Sequence, residues 1–300
     1  MDIKKYIRKI AGKIVGIEKY DNRINTAFYF INQYLDVTKA PKAEGALRDL
    51  QLCDYALLRI LDKVCERNNL TYWLDYGTLL GAIRHEGFIP WDDDADVSMP
   101  REDFDRAKVV LKEAVEKYGI DVNYPSGNEH ARLGFSYKHK ETGIWIDIFP
   151  VDFVASSGNS IEEKEQIKKR VLKYAARFRK RLKKLNSDKV TQQREKYIRG
   201  EGACNMMVHG MEFPHNKWIV IEKEKVVPCV KATFEGGQFR VPADYPAYLT
   251  AVFGKNYMGF PQSGLEHHGD ERGLLSTWAS KSNVDMREAY EKLVEIYEMI

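Results

Sequence analysis

The spacing of apolar residues divides the chain into a series of helices and strands. Apolar residues recur every three or four positions in the predicted helices, which cover residues 46–68, 101–118 and 286–300. Short apolar runs predict the strands, at residues 72–74, 120–124, 132–138 and 144–149, and a hairpin around Gly236-Gly237. This mixture of elements predicts an α/β (α+β) fold, in which a mixed sheet is flanked by helices.

Two further predicted helices, residues 2–19 and 162–189, carry an apolar stripe on one face and a dense set of Lys and Arg elsewhere. Helices of this kind bind anionic membrane surfaces, where each basic residue contributes about 1 kcal/mol. A charged face that is simply solvated is the alternative for both helices. RNA binding lacks the stacking aromatics that would support it, so a nucleic-acid partner is not expected.

Composition and charge are typical of a cytosolic globular protein. The chain has 300 residues and a net charge of only +3, which is too small to predict binding to nucleic acid. Its four cysteines are scattered, without the spacing of a zinc site or a disulfide framework, which suits a reducing compartment. No apolar run approaches the ~20 residues that a membrane-spanning helix needs. We therefore expect a cytoplasmic protein, which is peripheral on the inner face of the membrane if the basic helices bind there.

Residues 72–100 contain the polar groups around which a site can form. Gly77 and Thr78 turn a strand into a short helix, whose free N–H groups favour a phosphate. Asp94 and Asp96 alternate with apolar residues at the period of a strand, so both carboxylates face the same side. Two adjacent carboxylates repel each other unless a cation lies between them, and beside substrate phosphates the usual cation is Mg²⁺ (or Mn²⁺).

A third carboxylate, Asp147, lies alone within the apolar run 145–149. An isolated Asp in such a strand is costly to bury without a partner, which suggests that it binds the same cation. We therefore expect Asp94, Asp96 and Asp147 to converge on one or two metal ions.

The acidic residues 92–96 also fit other kinds of site. An EF-hand loop starting at Asp92 is disfavoured, because Val97 stands where glycine is needed and Asp103 where a bidentate Glu is needed. The metal-binding motif of a nucleotide-sugar glycosyltransferase ranks second, because it requires neither the upstream Gly-Thr pair nor the downstream Asp. A surface acidic loop is disfavoured by the flanking residues 89–91 and Val97.

The chain resembles the LicD family of the nucleotidyltransferase superfamily in two segments, GTLLGAIRHEGFIPWDDDADVSMPREDF and IDIFPVDF. A third segment, FEGGQFRVPADYPAYLTAVFGKNYMGFP, is similar to the C-terminal part of that family, so the resemblance covers roughly residues 55–270. Where the family commonly has Tyr-Gly-Asp-Tyr-Met, this chain has Phe-Gly-Lys-Asn-Tyr-Met at residues 253–258.

The resemblance implies a nucleotidyltransferase-like mixed sheet, to which the two basic helices are added. The expected parts are a basic helical segment at 1–40, a catalytic core at 41–155, a basic helical insertion at 156–200 and the C-terminal part of the catalytic domain at 201–300.

The resemblance also implies an enzyme, a phosphotransferase. It would move a substituted phosphoryl group, phosphocholine as first choice, from a CDP-linked donor such as CDP-choline. The acceptor would be a hydroxyl of a glycan or glycolipid precursor of lipopolysaccharide, teichoic acid or capsule. The choline assignment rests on the resemblance alone, and CDP-glycerol or CDP-ribitol is the alternative donor.

Further site residues are expected around the acids. For Arg84 and His85 the resemblance implies contacts with phosphate or acceptor, with His85 as the base; an exposed place at a helix end is the alternative. Arg132 and Lys138, on the strand before the third carboxylate, can reach substrate phosphates or lie solvated on a sheet edge. Trp91 would suit a choline headgroup through cation–π attraction, or pack in the core.

Overall fold

A mixed β-sheet flanked by helices forms the body of the protein, as predicted. The computed structural model describes residues 33–125, 129–140, 142–179, 187–200, 202–212, 219–260 and 286–300. The described helices are α1 (Gly45–Arg67), α2 (Tyr76–His85), α3 (Arg101–Val115), α4 (Ile161–Arg179), α5 (Ser187–Ile198), α6 (Tyr245–Phe253) and α7 (Met286–Met299). The described strands are β1 (Trp73–Leu74), β2 (Ala95–Pro100), β3 (Ile120–Asn123), β4 (Leu133–His139), β5 (Thr142–Ser156), β6 (Ala203–His209), β7 (Val220–Glu222), β8 (Val230–Phe234) and β9 (Gly237–Val241).

Strand β5 is the centre of the sheet, whose order is β1-β2-β5-β4-β3. β2 runs parallel to β5, whereas β4 pairs antiparallel with the first half of β5 and β6 with its second half. β7 extends the sheet beyond β6, and β8 and β9 form the predicted hairpin as a separate sheet. The sequence pattern predicted that this strand ends at residue 149. β5 continues to Ser156, because pairing with β6 satisfies its backbone hydrogen bonds as far as that residue.

One face of β5 builds the main hydrophobic core. Ile144, Ile146 and Ile148 are fully buried there, because the side chains of a strand alternate between its two sides. Leu57 of α1 is fully buried in the same core. Each side chain of this size contributes about 1.5–3 kcal/mol on burial, so this face is held firmly. Asp147, which alternates with these isoleucines, therefore lies on the opposite face.

The basic regions are only partly described. The predicted helix 162–189 corresponds to α4 and the start of α5, with residues 180–186 outside the described part. Two of its basic side chains bind their own domain, because Lys164 pairs with Glu222 at 3.0 Å and Arg170 donates to the Ala155 carbonyl at 2.8 Å. The predicted helix 2–19 lies outside the described residues.

Membrane binding by these helices stays a prediction. Within the described residues, each helix is too short or too polar to cross a bilayer. β6 and β7, from the expected C-terminal part, join the same sheet as the core strands. We keep the division at residues 1–40, 41–155, 156–200 and 201–300 as a proposal.

Glu235 joins the β8–β9 hairpin to the loop that follows α2. Its carboxylate, only 4% exposed, pairs with Lys42 at 2.8 Å and Arg48 at 2.6 Å and accepts a hydrogen bond from the Phe88 N–H at 3.1 Å. Burial acts to raise the pKa of Glu235, but Arg48, Lys42 and the Phe88 N–H lower it to about 2. The hairpin thereby fixes the loop that leads to the acidic residues.

We expect Glu235→Gln to lower the free energy of unfolding at pH 7 by about 3 kcal/mol, which is the equivalent of the pKa difference between the usual 4.5 and 2. Because the folded pKa is depressed, this stabilisation is present above pH 4.5 and is lost as the pH falls towards 2. Urea unfolding of both proteins between pH 2 and pH 7 measures the difference. A difference in unfolding free energy that stays constant between pH 2 and pH 7 would contradict the assignment. So would an equal difference after replacing the exposed Glu224.

A buried ionic network holds α3 against β5. Arg101 donates to both carboxylate oxygens of Asp152, at 2.8 and 3.0 Å, and to Glu212 at 2.7 Å. Arg194 reaches the other oxygen of Glu212 at 3.1 Å, and the Tyr174 hydroxyl donates to that same oxygen at 3.0 Å. Burial acts to lower the pKa of Arg101, but the two acids outweigh it and keep the guanidinium charged. The network fixes the end of β2, where α3 begins.

Candidate active site

Asp96 and Asp147 lie side by side in the sheet. The parallel register of β2 and β5 pairs these two residues, so both carboxylates project from the same face. Ala95 and Val97 are fully buried on the opposite face, as the alternation predicted. Burial, Asp94 and Asp147 raise the pKa of Asp96 well above its usual range. Buried carboxyl groups are therefore crowded together at this point.

The tightest group of acids is Asp92, Asp93 and Asp94, at the start of β2. Among the described residues, this group has carboxylate oxygens within 4.8 Å of one another. Burial, Asp94 and Asp93 raise the pKa of Asp92, and Arg84 opposes that shift. The predicted ligand set named Asp94 but omitted Asp92 and Asp93, so the acidic centre is broader than the sequence pattern indicated.

Arg132 occupies one side of Asp147. Its Nη1 donates to Asp147 Oδ2 at 2.6 Å. A guanidinium in this position supplies the positive charge that a metal ion would supply beside the same carboxylate. Arg132 therefore contacts the third acid, and its predicted contact with substrate phosphates stays a prediction.

Lys138 lies too far along β4 to join this site. Gly134 is the β4 residue paired with Asp147, whereas Lys138 is paired with Gly143. These pairs are four residues apart, which is about 13 Å along a strand. Lys138 is therefore left out of the acid site described here, and its predicted contact with the donor phosphates stays a prediction.

Helix α2 begins at Tyr76, where Asp75 caps its first N–H at 2.7 Å, one residue before the predicted Gly77-Thr78 turn. Gly77 lies against Asp92, because a Cβ at this position would come within 2.5 Å of Asp92 Oδ2. The Thr78 hydroxyl accepts a hydrogen bond from the Asp96 N–H at 2.8 Å. The Gly-Thr pair thus fixes the acids, and its phosphate-binding role stays a prediction.

A buried hydrogen-bond network behind α2 was not foreseen from the sequence. Asp75 Oδ2 accepts from the Ser98 hydroxyl at 2.5 Å and the Tyr248 hydroxyl at 2.9 Å, and His209 Nε2 lies 3.2 Å away. Burial acts to raise the pKa of Asp75, but hydrogen bonds from His209, Ser98 and the Tyr76 N–H outweigh it and hold the pKa below its usual range. The network ties β2, β6 and α6 to the start of α2.

Arg84 and His85 end α2 beside the C-terminal segment. Arg84 Nη1 donates to the carbonyls of Tyr257 and Gly259, at 3.1 and 3.0 Å. Its Nε donates to His85 Nε2 at 3.0 Å, and burial together with the Arg84 charge lowers the pKa of His85 to about 4. His85 is therefore neutral at physiological pH, as a general base must be.

Trp91 packs against its neighbours. Its ring stacks on Phe260 with centroids 6.0 Å apart, and its edge contacts His85. These contacts are those expected if Trp91 packs in the core, which is the alternative given above. A role of Trp91 in binding a choline headgroup stays a prediction.

Asp54 is a further acid that the sequence analysis missed. It lies on α1, is 1% exposed, and neither of its oxygens has a hydrogen-bond partner of ordinary geometry among the described residues. Burial, Asp94 and Asp93 raise its pKa well above the usual range, while the Trp145 backbone N–H opposes that shift. One turn earlier, Gln51 donates to the Asp92 carbonyl at 2.9 Å, so this face of α1 lies beneath the acidic residues.

We expect Asp54→Asn to raise the free energy of unfolding in metal-free buffer. The reason is that the substitution removes a buried charge that three neighbouring acids repel. Urea unfolding in EDTA measures the change. Asp49→Asn is the control, because Asp49 is an exposed acid on the same helix and no gain is expected. Loss of stability in Asp54→Asn would show that the carboxyl is structurally required.

Residues 69–193 match the family model "LicD/FKTN/FKRP, nucleotidyltransferase domain". The chain carries a LicD-family domain. Every predicted site residue, from Gly77 to Asp147, lies within the LicD domain, and Asp54 precedes it. The resemblance found in the two motif segments is thereby confirmed, and so is the mixed α/β fold that it implied.

Two named relatives of the LicD domain are transferases of substituted phosphate. The lipopolysaccharide cholinephosphotransferase LicD of Haemophilus influenzae is 27% identical over 261 residues, which cover 76% of this chain and 98% of that protein. The ribitol 5-phosphate transferase FKRP of Homo sapiens is 50% identical over 104 residues, which cover 28% of this chain and 21% of FKRP. The expectation of a phosphotransferase agrees with both names.

Proposed function

We propose that this chain is a phosphotransferase that moves phosphocholine from a CDP-linked donor to a hydroxyl of a cell-surface glycan or glycolipid precursor. The observation that carries the proposal is the pairing of Asp96 with Asp147 on adjacent parallel strands, next to the acidic residues 92–94. The similarity to a lipopolysaccharide cholinephosphotransferase over most of the chain supports the choice of transferred group and acceptor.

The acidic centre fits a divalent cation such as Mg²⁺ or Mn²⁺. Its side chains offer carboxylate oxygens, the ligands that these hard cations prefer, and the raised pKa of Asp96 and of Asp92 reflects burial and crowded negative charge. Asp94, Asp96 and Asp147 would hold the ion. A bound cation neutralises charge on the donor phosphates and orients them for in-line attack.

The surrounding residues position the acids and are placed to contact the donor phosphates. Thr78 fixes the backbone of Asp96, and Gly77 leaves room for the Asp92 carboxylate. Arg132, which neutralises Asp147 here, is positioned to donate to a donor phosphate that binds beside this carboxylate. His85, neutral at physiological pH, is the proposed base for the acceptor hydroxyl, a role that requires Arg84 Nε to release the His85 Nε2 lone pair when the acceptor binds.

A ribitol 5-phosphate group is the second candidate for transfer. The local identity of 50% to FKRP favours it, although that match covers 28% of this chain. The same acids would act on either donor, because the group that leaves is CMP in both cases. CDP-glycerol would use the same chemistry.

Thermal unfolding with and without Mg²⁺ tests the proposal. We expect CDP-choline with Mg²⁺ to stabilise the protein, by about 2.7 kcal/mol when the ligand is at a hundred times its Kd. CDP-ribitol, CDP-glycerol, CTP and a UDP-sugar are the comparison ligands. Stabilisation by CDP-ribitol in place of CDP-choline would select the second candidate, and stabilisation by the UDP-sugar alone would replace the proposal with a glycosyltransferase.

A further inference from the structure

An exposed tryptophan lies on the same strand as Asp147. Trp145 of β5 is 41% exposed, whereas its neighbours Ile144 and Ile146 are fully buried. Since side chains alternate along a strand, Trp145 and Asp147 project from the same face, opposite to the core. An exposed ring of this size in the central strand of a sheet is available to a ligand.

The strand register places Trp145 beside the acids. β2 pairs Ala95 with Ile146, so Asp94, one residue earlier in the chain, is level with Trp145. The Trp145 backbone N–H also faces the Asp54 carboxylate. The strand register therefore puts Trp145 at the edge of the acidic centre.

The immediate neighbours of Trp145 on this face are small. Ser136 is its partner on β4, and Gly143 precedes it by two residues on β5. A Cβ on Gly143 would lie 3.4 Å from the Trp145 ring, so the indole extends over this glycine. A flat surface thus continues from Asp147 towards the start of β5.

We propose that the indole of Trp145 is the stacking surface for the nucleobase of the nucleotide donor, whose phosphates bind at Asp147 and the neighbouring acids. Two strand residues separate Trp145 from Asp147 by about 6.6 Å, and in a nucleotide the ribose separates the base from its phosphate. Aromatic rings bind bases by stacking, and every base has a face to stack. The inference rests on the proposed function for the presence of a nucleotide donor.

A choline headgroup is the other ligand that an exposed indole attracts, through cation–π interaction. We assign Trp145 to the base, because a planar base stacks on a single ring, whereas quaternary ammonium groups are recognised by cages of several aromatic rings. The two ligands are separable, since CMP contains only the base and phosphocholine only the headgroup.

Calorimetric titration of the full chain with CMP and with phosphocholine, each with Mn²⁺ present, tests the assignment. We expect Trp145→Ala to weaken CMP binding about 5- to 150-fold, which corresponds to about 1–3 kcal/mol, and Trp145→Phe to retain most of the affinity. Phosphocholine binding is expected to be unchanged. The matched control is Tyr124→Ala, which removes an aromatic ring of the same 41% exposure that follows β3 in the same sheet.

Three results would overturn the inference. Equal CMP affinity in Trp145→Ala and the original protein would exclude stacking, and a selective loss of phosphocholine binding would assign Trp145 to the headgroup. If the original protein binds no CMP, the proposed function fails together with the inference. If it binds CMP and Trp145→Ala binds it equally well, the inference alone fails. Thermal unfolding of each variant confirms that it is folded.

Discussion

Replacing Asp96 with asparagine is expected to slow phosphoryl transfer at least about a thousandfold. Asp96 is paired with Asp147, and the nearby Asp94 raises its pKa, so Asp96 lies at the centre of the proposed cation site. Asparagine keeps the shape but loses the charge that attracts a divalent cation. Release of CMP from the CDP-linked donor, measured with Mg²⁺, gives the rate.

The same substitution has a second readout, which does not depend on turnover. Because Asp94, Asp147 and Asp92 repel the Asp96 charge, Asp96→Asn is expected to raise stability in EDTA while reducing the stabilisation by Mn²⁺. Asp121→Asn, an exposed acid on β3, is the control and should change neither quantity. An active Asp96→Asn protein with unchanged Mn²⁺ stabilisation would rule out the cation role.

Replacing Arg101 with methionine is expected to lower the free energy of unfolding by about 3–5 kcal/mol. The substitution leaves Asp152 and Glu212 buried, with only part of their positive partners. A domain of this kind is stable by about 5–15 kcal/mol, so the variant is expected to be only marginally folded at 25 °C. Urea unfolding measures the loss.

Arg106 provides a matched control for Arg101 on the same helix. It pairs with Asp103 at 2.8 Å, but its side chain is 51% exposed. An exposed pair of this type contributes about 0–1 kcal/mol, so Arg106→Met should differ little from the original protein. Equal losses for Arg101→Met and Arg106→Met would show that burial of the Arg101 network does not determine its contribution.

Local patterns in the sequence were sufficient to predict the elements that carry the acids. The alternation around Asp94 and Asp96 indicated a strand, and the isolated Asp147 indicated a second one with a partner for its charge. The structure pairs these strands in the register that puts Asp96 next to Asp147. Burial costs and strand periodicity act over a few residues, so they can be read directly from the chain.

Contacts between distant segments could not be predicted in this way. The Asp75 network joins residues 134 and 173 positions apart, and no local pattern specifies that His209 and Tyr248 meet there. Asp54 was missed because, in a helix with a clear apolar stripe, a single acid looks like an ordinary solvated residue. The distance of Lys138 from Asp147 was not predictable either, because strand pairing, and not composition, determines where Lys138 lies along β4.

The central claim is that Asp94, Asp96 and Asp147 bind one divalent cation. The most direct measurement is the anomalous scattering of Mn²⁺ in crystals grown with a CDP-linked donor. We predict a peak at bonding distance from the Asp94, Asp96 and Asp147 carboxylates and from a donor phosphate, with Arg132 moved from Asp147 to the donor. A peak bound only by Asp92 and Asp93, with Arg132 still on Asp147, would contradict the claim.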